Sequence, residues 1–319
     1  ATNIPTHNLG EVIDGTIHLM DNPDADVFEL MNYIKGPDFP TGAEIRGVNG
    51  IKSAYLTGKG KIIVRSKAEI DVDKHRIIVS EIPYMVNKAL LVKSIADCYK
   101  DKKVEGLTDL RDESNMDGIR IVIEYRKDMN GEIILNQLYK NTQLQDTFGV
   151  NMLCLVDNVP RILNLKEILE YYIRHSKEVV VRRVNYDLKK ARAEMHIYEG
   201  YKIAIDNIDE IVEIIKHSSS ISDARERLIE RFGFSDVQAQ AIVDMTLGKL
   251  TGLERSKIEE RLAKLVETVA DYEDILAKEE RVKEIIRNEL LEIKGKFGDE
   301  RKTEILPVED DILTEDLIE

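Results

Sequence analysis

The spacing of apolar positions changes character near the middle of the chain. In residues 8–20, Leu9, Val12, Ile13, Ile17 and Met20 recur at helical spacing behind the Ile4-Pro5 turn. The β-branched runs at 61–70 and 74–82, separated by 71–73, predict a hairpin. Residues 86–100 predict an amphipathic helix that buries Leu90, Leu91, Ile95 and Cys98, residues 133–139 a second helix, and 119–125 and 150–156 two more strands. Helices and strands do not alternate in a βαβ rhythm, so residues 1–163 are expected to form an α+β domain.

From Val184 onward the step is four-three. Val184, Leu188, Ala191, Met195, Tyr198, Ile205, Ile208, Val212 and Ile215 form one seam, and Ile258, Leu262, Leu265, Val269, Tyr272 and Leu276 form a second. The second seam then shifts to Val282, Ile286 and Leu290, which reads as a stutter. A helix over 164–217 returned by a second long helix predicts an antiparallel coiled-coil arm over 164–298. A small helical knob at about 218–252 is expected between them, with helices at 222–231 and 235–247, a turn at Phe232-Gly233-Phe234, and Ser222 and Ser235 as N-caps.

Punctuation agrees with this division. Six of the seven prolines lie at or before Pro160, and twelve of the eighteen glycines precede residue 161. A stretch almost free of both permits long helices, because each breaks or weakens a helix interior. Residues 299–319 carry nine acids and two bases and are expected to be a solvated acidic linker. No run approaches the ~20 apolar residues of a membrane span, no leader pattern opens the chain, and a cytoplasmic protein with Cys98 and Cys154 as core thiols is expected. The chain opens on Ala1 and reads as a piece of something longer.

Charge narrows the chemistry. The net charge is −14, which excludes a basic wrapper of nucleic acid and makes any such contact local. Residues 45–68 nevertheless hold Arg46, Lys52, Lys59, Lys61, Arg65 and Lys67 and no acid. Thr57-Gly58-Lys59-Gly60-Lys61 offers backbone amides to an anion, and the strand that follows sets Lys61, Arg65 and Lys67 on one face. Two readings stand: contact with a phosphate backbone, or an exposed basic hairpin on a charge-balanced surface. A second basic run, Arg174 to Arg192, fits the solvated face of the coiled coil. The six histidines are dispersed, and the acids of 109–113 surround Arg111, favouring internal ion pairing over a cation site. No catalytic residue and no metal site is expected.

The blocks ATNIPTHNLGEVIDG, GPDFPTGAEI, AYLTGKGKIIVRSKAEI, IIVSEIPYMVNKALLVKSIA, VEGLTDLRDES, NTQLQDTFGVNM and QAQAIVDMTLGKLTGLE resemble, in order, the A subunit of bacterial DNA gyrase and its sibling, the A subunit of topoisomerase IV. The resemblance implies a non-catalytic segment of the breakage-reunion subunit of a type IIA topoisomerase; the alternative is a structural coiled-coil dimerisation module without a DNA role. Its tower domain would support the gate duplex, with Arg46, Lys52, Lys59, Lys61, Arg65 and Lys67 against DNA. Its arm would end in an exit gate where two copies meet through Gln238, Ala241, Ile242, Met245, Leu247 and Leu250. Gyrase is favoured over topoisomerase IV. The nucleophilic tyrosine is not expected in these residues, no cofactor is expected, and ATP and Mg2+ belong in the family to the partner B subunit of an A2B2 assembly. Thr246 stands where the family commonly has an arginine.

Overall fold

The computed structural model describes residues 3–307 and 314–318. The chain divides into two compact units, residues 1–173 with 290–319 and residues 174–289.

The first unit is α+β. It opens with α1 (Leu9–Asp21), capped by the Asn8 side chain accepting from the Glu11 N–H, and a single turn α2 (Val27–Leu30). Strand β1 (Glu44–Arg46), helix α3 (Asn49–Thr57) and strand β2 (Lys59–Arg65) follow. Next come β3 (Lys67–Asp71), β4 (Arg76–Glu81), α4 (Lys88–Lys100), β5 (Leu107–Asp112), β6 (Ile121–Tyr125), α5 (Gly131–Asn141), β7 (Gln145–Asn151), β8 (Leu153–Val156) and β9 (Val159–Ile162). Strands β3-β4-β6-β5 form an antiparallel sheet whose inner face, with α4 and α5, encloses Ile77, Val79, Ile95, Ile121, Ile123, Ile134 and Leu138. A second sheet runs β10-β1-β2-β7, where β10 (Glu304–Leu306) pairs parallel with β1.

Four sequence expectations change here. The run 61–70 is not one arm of a hairpin: it is broken at Ser66, 1% exposed, whose N–H donates to the Leu144 carbonyl, and the chain there leaves one sheet for the other. Only β3 and β4 form the hairpin. Residues 150–156 are likewise split at the buried Met152 between β7 and β8. On α4, Leu91, Ile95 and Cys98 face inward, but Leu90 is 63% exposed, since one residue along a helix turns the side chain by ~100°. The expected linker after Asp299 is part of the fold as far as β10. Arg301 donates to both carboxylate oxygens of Glu11 and to the carbonyls of Gly36 and Pro37, and Thr303 is wholly buried. The acids Glu309, Asp310 and Asp311 of that expected linker lie outside the described residues.

The second unit holds most of the coiled coil, whose first helix begins and last helix ends in residues of the first. Helix α6 (Leu165–Asp206) runs without a break, then α7 (Ile208–Lys216), α8 (Ile221–Phe232), α9 (Asp236–Val243) and a 3-10 turn (Leu247–Leu250) lead to α10 (Gly252–Ala277) and α11 (Glu279–Phe297). The seam residues Leu188, Ala191 and Val269 are buried together, with Met195, Tyr272 and Leu276 against them. Flanking ion pairs, Arg192–Glu273 at 2.7 Å, Arg261–Glu194 at 2.8 Å and Lys202–Glu259 at 3.3 Å, fix the antiparallel register more than they add stability.

The expected stutter is a true break. Lys278 is extended (φ −124°, ψ 112°), and Arg281 spans the gap to reach Asp271 at 2.9 Å and Asp274 at 2.8 Å. The helix expected to reach residue 217 also stops, at Asn207, so the α6 seam closes at Ile205. Beyond the break, Ile211 turns into the knob core with Ala204, Leu228, Phe234, Ala239 and Ile242, while Val212 and Ile215 face outward. Gly233, at φ +73°, ends α8 in the left-handed conformation. Ser235 and Gln238 form a full capping box on α9, whereas the cap of α8 is Ser220 and not Ser222.

Candidate nucleic-acid interface

Helix α3 lies directly on β2 because two glycines let backbones meet. A Cβ on Gly50 would stand 2.0 Å from the Lys61 carbonyl oxygen, and one on Gly60 would stand 2.5 Å from the Gly50 oxygen. Gly58, at φ +83°, caps α3 and turns the chain into β2. This turn presents Lys59 and Lys61 on one side of β2, two residues apart, with Lys52 exposed on α3. Lys67 is exposed at the start of β3, in the other sheet.

The six bases expected to act together divide sharply. Among the described residues, the ammonium groups of Lys52, Lys59, Lys61 and Lys67 have no ion-pair partner. Arg46 is half-buried and paired with Glu44 at 3.2 Å. Arg65 does not join the exposed face. It is 5% exposed, its Nε donates to Gln145 Oε1 at 2.7 Å, and its guanidinium covers the Tyr139 ring at 4.6 Å. Burial of that ring pushes the Tyr139 phenol up to about 12. Arg65 therefore holds β2 against α5 rather than a ligand. Nor do the turn amides form a cradle, since the Gly58 N–H donates to the Ala54 carbonyl and the Lys59 N–H to Thr57 Oγ1. What the stretch offers an anion is lysine charge.

The remaining candidates are internal. Arg111 pairs with Asp109, Glu113 and Glu124, and the Asp112 carboxyl, bonded by Ser114 and Lys88, is held down at about 2. Among the described residues no group of three or more His, Cys, Asp or Glu is arranged for a metal ion. In the basic run on α6, Lys177 pairs with Glu279, Arg183 with Glu289 and Arg192 with Glu273. Cys98 is buried and Cys154 half-buried, and burial pushes both thiols up.

His7 is enclosed, with Nδ1 donating to the Pro5 carbonyl at 2.8 Å and Nε2 left to accept from Tyr55 Oη at 2.7 Å. Burial lowers its pKa below the ordinary 6.5, so the folded state resists a proton that the unfolded chain accepts. Its contribution is complete above pH 6.5 and lost as the pH falls below it, by at most about 1.4 kcal/mol per pH unit. Urea titrations at pH 7.5 and 5.5 are expected to show this decline in the wild type and a shallower one in His7→Gln.

On the knob, the expected interface residues also separate. Gln238 and Ile242 are buried, and Gln238 Nε2 donates to the His196 carbonyl at 2.7 Å, so both are committed to packing α9 within the unit. Leu247 is 82% exposed, and with Met245 and Leu250 it borders an apolar groove of about 280 Å3. Ala241 is half-buried and does not line the groove, whereas Thr246 lies in its wall. The opposite wall is Ile208, Val212 and Ile215 of α7, which the seam pattern had assigned to the coiled coil. The break at Asn207 redirects them, and nothing in the four-three spacing marks it.

The chain is an α+β unit with unpaired lysines on α3, β2 and β3, joined in sequence to a coiled-coil arm with a helical knob. The chain belongs to the DNA gyrase/topoisomerase IV A-subunit family, whose family model matches residues 1–291. It is 58% identical over 322 aligned positions to the A subunit of DNA gyrase from Clostridium acetobutylicum, covering 100% of this chain and 39% of that protein. The corresponding protein of Halalkalibacterium halodurans is 55% identical, with 100% of this chain and 38% of the relative covered. That of Staphylococcus epidermidis is 52% identical, with 100% and 36% covered. The chain thus spans under two-fifths of the length of these relatives. Among the described residues no helix is long and apolar enough to cross a membrane.

Proposed function

We propose that this chain is the non-catalytic segment of a gyrase A-type protein that supports the duplex to be cut and closes the exit gate through its knob. Lys52, Lys59, Lys61 and Lys67 contact the sugar-phosphate backbone without reading sequence. A second copy meets the knob across a two-fold axis, and a B subunit supplies ATP hydrolysis and Mg2+ in an A2B2 assembly. The observation that carries this reading is the cluster of exposed, unpaired lysines in one acid-free stretch of a strongly acidic chain.

Charge-driven contact is salt-dependent, with the logarithmic slope falling by about 0.9 for each B-DNA phosphate neutralised. Binding of a duplex to the wild type and to a Lys59→Ala/Lys61→Ala variant, measured across salt concentrations, is expected to show weaker affinity and a slope shallower by about 2 in the variant. Equal affinity and equal slope would remove DNA from the role of this face.

A further inference from the structure

The two bases of the acidic C-terminal stretch lie on the folded first unit, Arg301 part-buried and Lys302 exposed. The parallel pairing of β10 with β1, with Ile305 opposite Ile45, carries Arg301 and Lys302 back across the first unit to an open cavity of about 790 Å3. Among the described residues its lining includes Lys35, Lys52, Lys67, Arg301 and Lys302, with Glu304 as the one carboxylate. Val48 and Ile305 contribute apolar surface between the charges.

The five cations are not equivalent. Arg301 is saturated by Glu11 and three backbone carbonyls and serves as a fixed wall. Among the described residues Lys302 reaches only the exposed Asp299, at 3.5 Å, a contact that a stronger anion displaces. Among the described residues the ammonium groups of Lys35, Lys52 and Lys67 have no carboxylate partner. Bringing like charges to one concavity costs free energy that an anion in the cavity recovers. The lysines converge from α3, β3, the loop after α2 and the approach to β10, so the cavity exists only in the folded unit.

We propose that this cavity is a phosphate-binding pocket, with Lys35 and Lys302 as phosphate-contacting residues alongside Lys52 and Lys67. The proposal rests on the DNA-support reading above and adds to it where the backbone track continues. Lys61 and Lys67 are six residues apart, at most about 20 Å along an extended chain. One strand of duplex spaces its phosphates by ~3.4 Å, so about six phosphates bridge the β2 lysines and the cavity. Lys59 and Lys61 leave β2 on the face opposite α3, since the Gly60 side meets Gly50 and Ala54, so the duplex would pass from them to the cavity by way of Lys67.

The experiment compares duplex affinity against salt for the wild type, Lys59→Ala/Lys61→Ala and Lys35→Ala/Lys302→Ala. Both replaced side chains in the last variant are exposed, and matching thermal melts check that the unit is intact. The cavity variant is expected to bind several-fold more weakly at low salt, with a slope shallower by about 1 to 2. Inorganic pyrophosphate is expected to weaken duplex binding of the wild type at constant ionic strength and to have less effect on the cavity variant. A wild-type slope in the cavity variant, with a reduced slope in the β2 variant, overturns the pocket while leaving DNA support standing. Unchanged slopes in both variants overturn DNA support itself. Pyrophosphate protection that depends on Lys35 and Lys302 without any change in duplex slope would mark a small-anion site and also overturn the proposal.

Discussion

Gly50→Ala is expected to destabilise the first unit by about 3 kcal/mol and to weaken duplex binding with it, although residue 50 carries no charge and contacts no ligand. The added methyl carbon would stand 2.0 Å from the Lys61 oxygen and 2.9 Å from the Lys61 carbonyl carbon. Both are backbone atoms of a strand paired on its other side to β7, so neither can rotate away. Helix α3 must lift from β2, and Ile51, Ala54 and Tyr55, each fully buried, lose packing as it does. Lys52 moves with the helix while Lys59 and Lys61 stay with the strand, so the spacing between them changes. Gly60→Ala should behave alike, since its methyl carbon would meet the Gly50 oxygen at 2.5 Å and the Ala54 nitrogen at 2.8 Å. Gly149→Ala, opposite Lys61 on β7 with nothing within 4 Å, is the control and should cost little. The measurement is a urea midpoint paired with duplex affinity. A wild-type midpoint for Gly50→Ala would mean that α3 is free to shift and does not fix the site.

What the sequence makes legible follows from the range of the interactions. The coiled-coil seam at Leu188, Ala191 and Val269 is local repetition, and the four-three step alone places it. The Ser235–Gln238 capping box is likewise complete within four residues. Arg65 is the opposite case. It sits in an acid-free basic run and alternates with Lys61, yet Tyr139 and Gln145 come from far along the chain and bury it. Alternation in a strand says which side a residue takes, not what covers that side. The β10 strand is three residues long in an acidic segment, too short for any period to show, and Arg301 finds Glu11 across 290 residues. The cavity lysines share this limit, since the pairing of Ile305 with Ile45 brings them together and no motif records it.

The exit-gate reading makes its largest demand on the knob, where Leu247→Asp combined with Leu250→Asp is expected to convert a dimer into a monomer. Leu247 is 82% exposed and Leu250 borders the same groove as Val212, 43% exposed, and Ile215, 37% exposed. A patch of this kind loses little in the isolated chain when it turns polar, but in a self-complementary contact each carboxylate is desolvated, and two-fold symmetry applies every substitution twice. Dimer dissociation should rise by at least about 100-fold, or about 2.8 kcal/mol at 1.4 kcal/mol for each tenfold step. The melt of the second unit should hardly change, because neither leucine belongs to the core of Ala204, Ile211, Leu228, Phe234, Ala239 and Ile242. Ile242→Asp is the contrasting variant and should unfold the knob, since Ile242 is 3% exposed within that core. Sedimentation equilibrium across salt concentrations separates the two surfaces: an apolar gate contact holds at high salt, whereas the lysine face loses its duplex there. A wild-type chain that stays monomeric to tens of micromolar at every salt concentration would take the gate away from this groove.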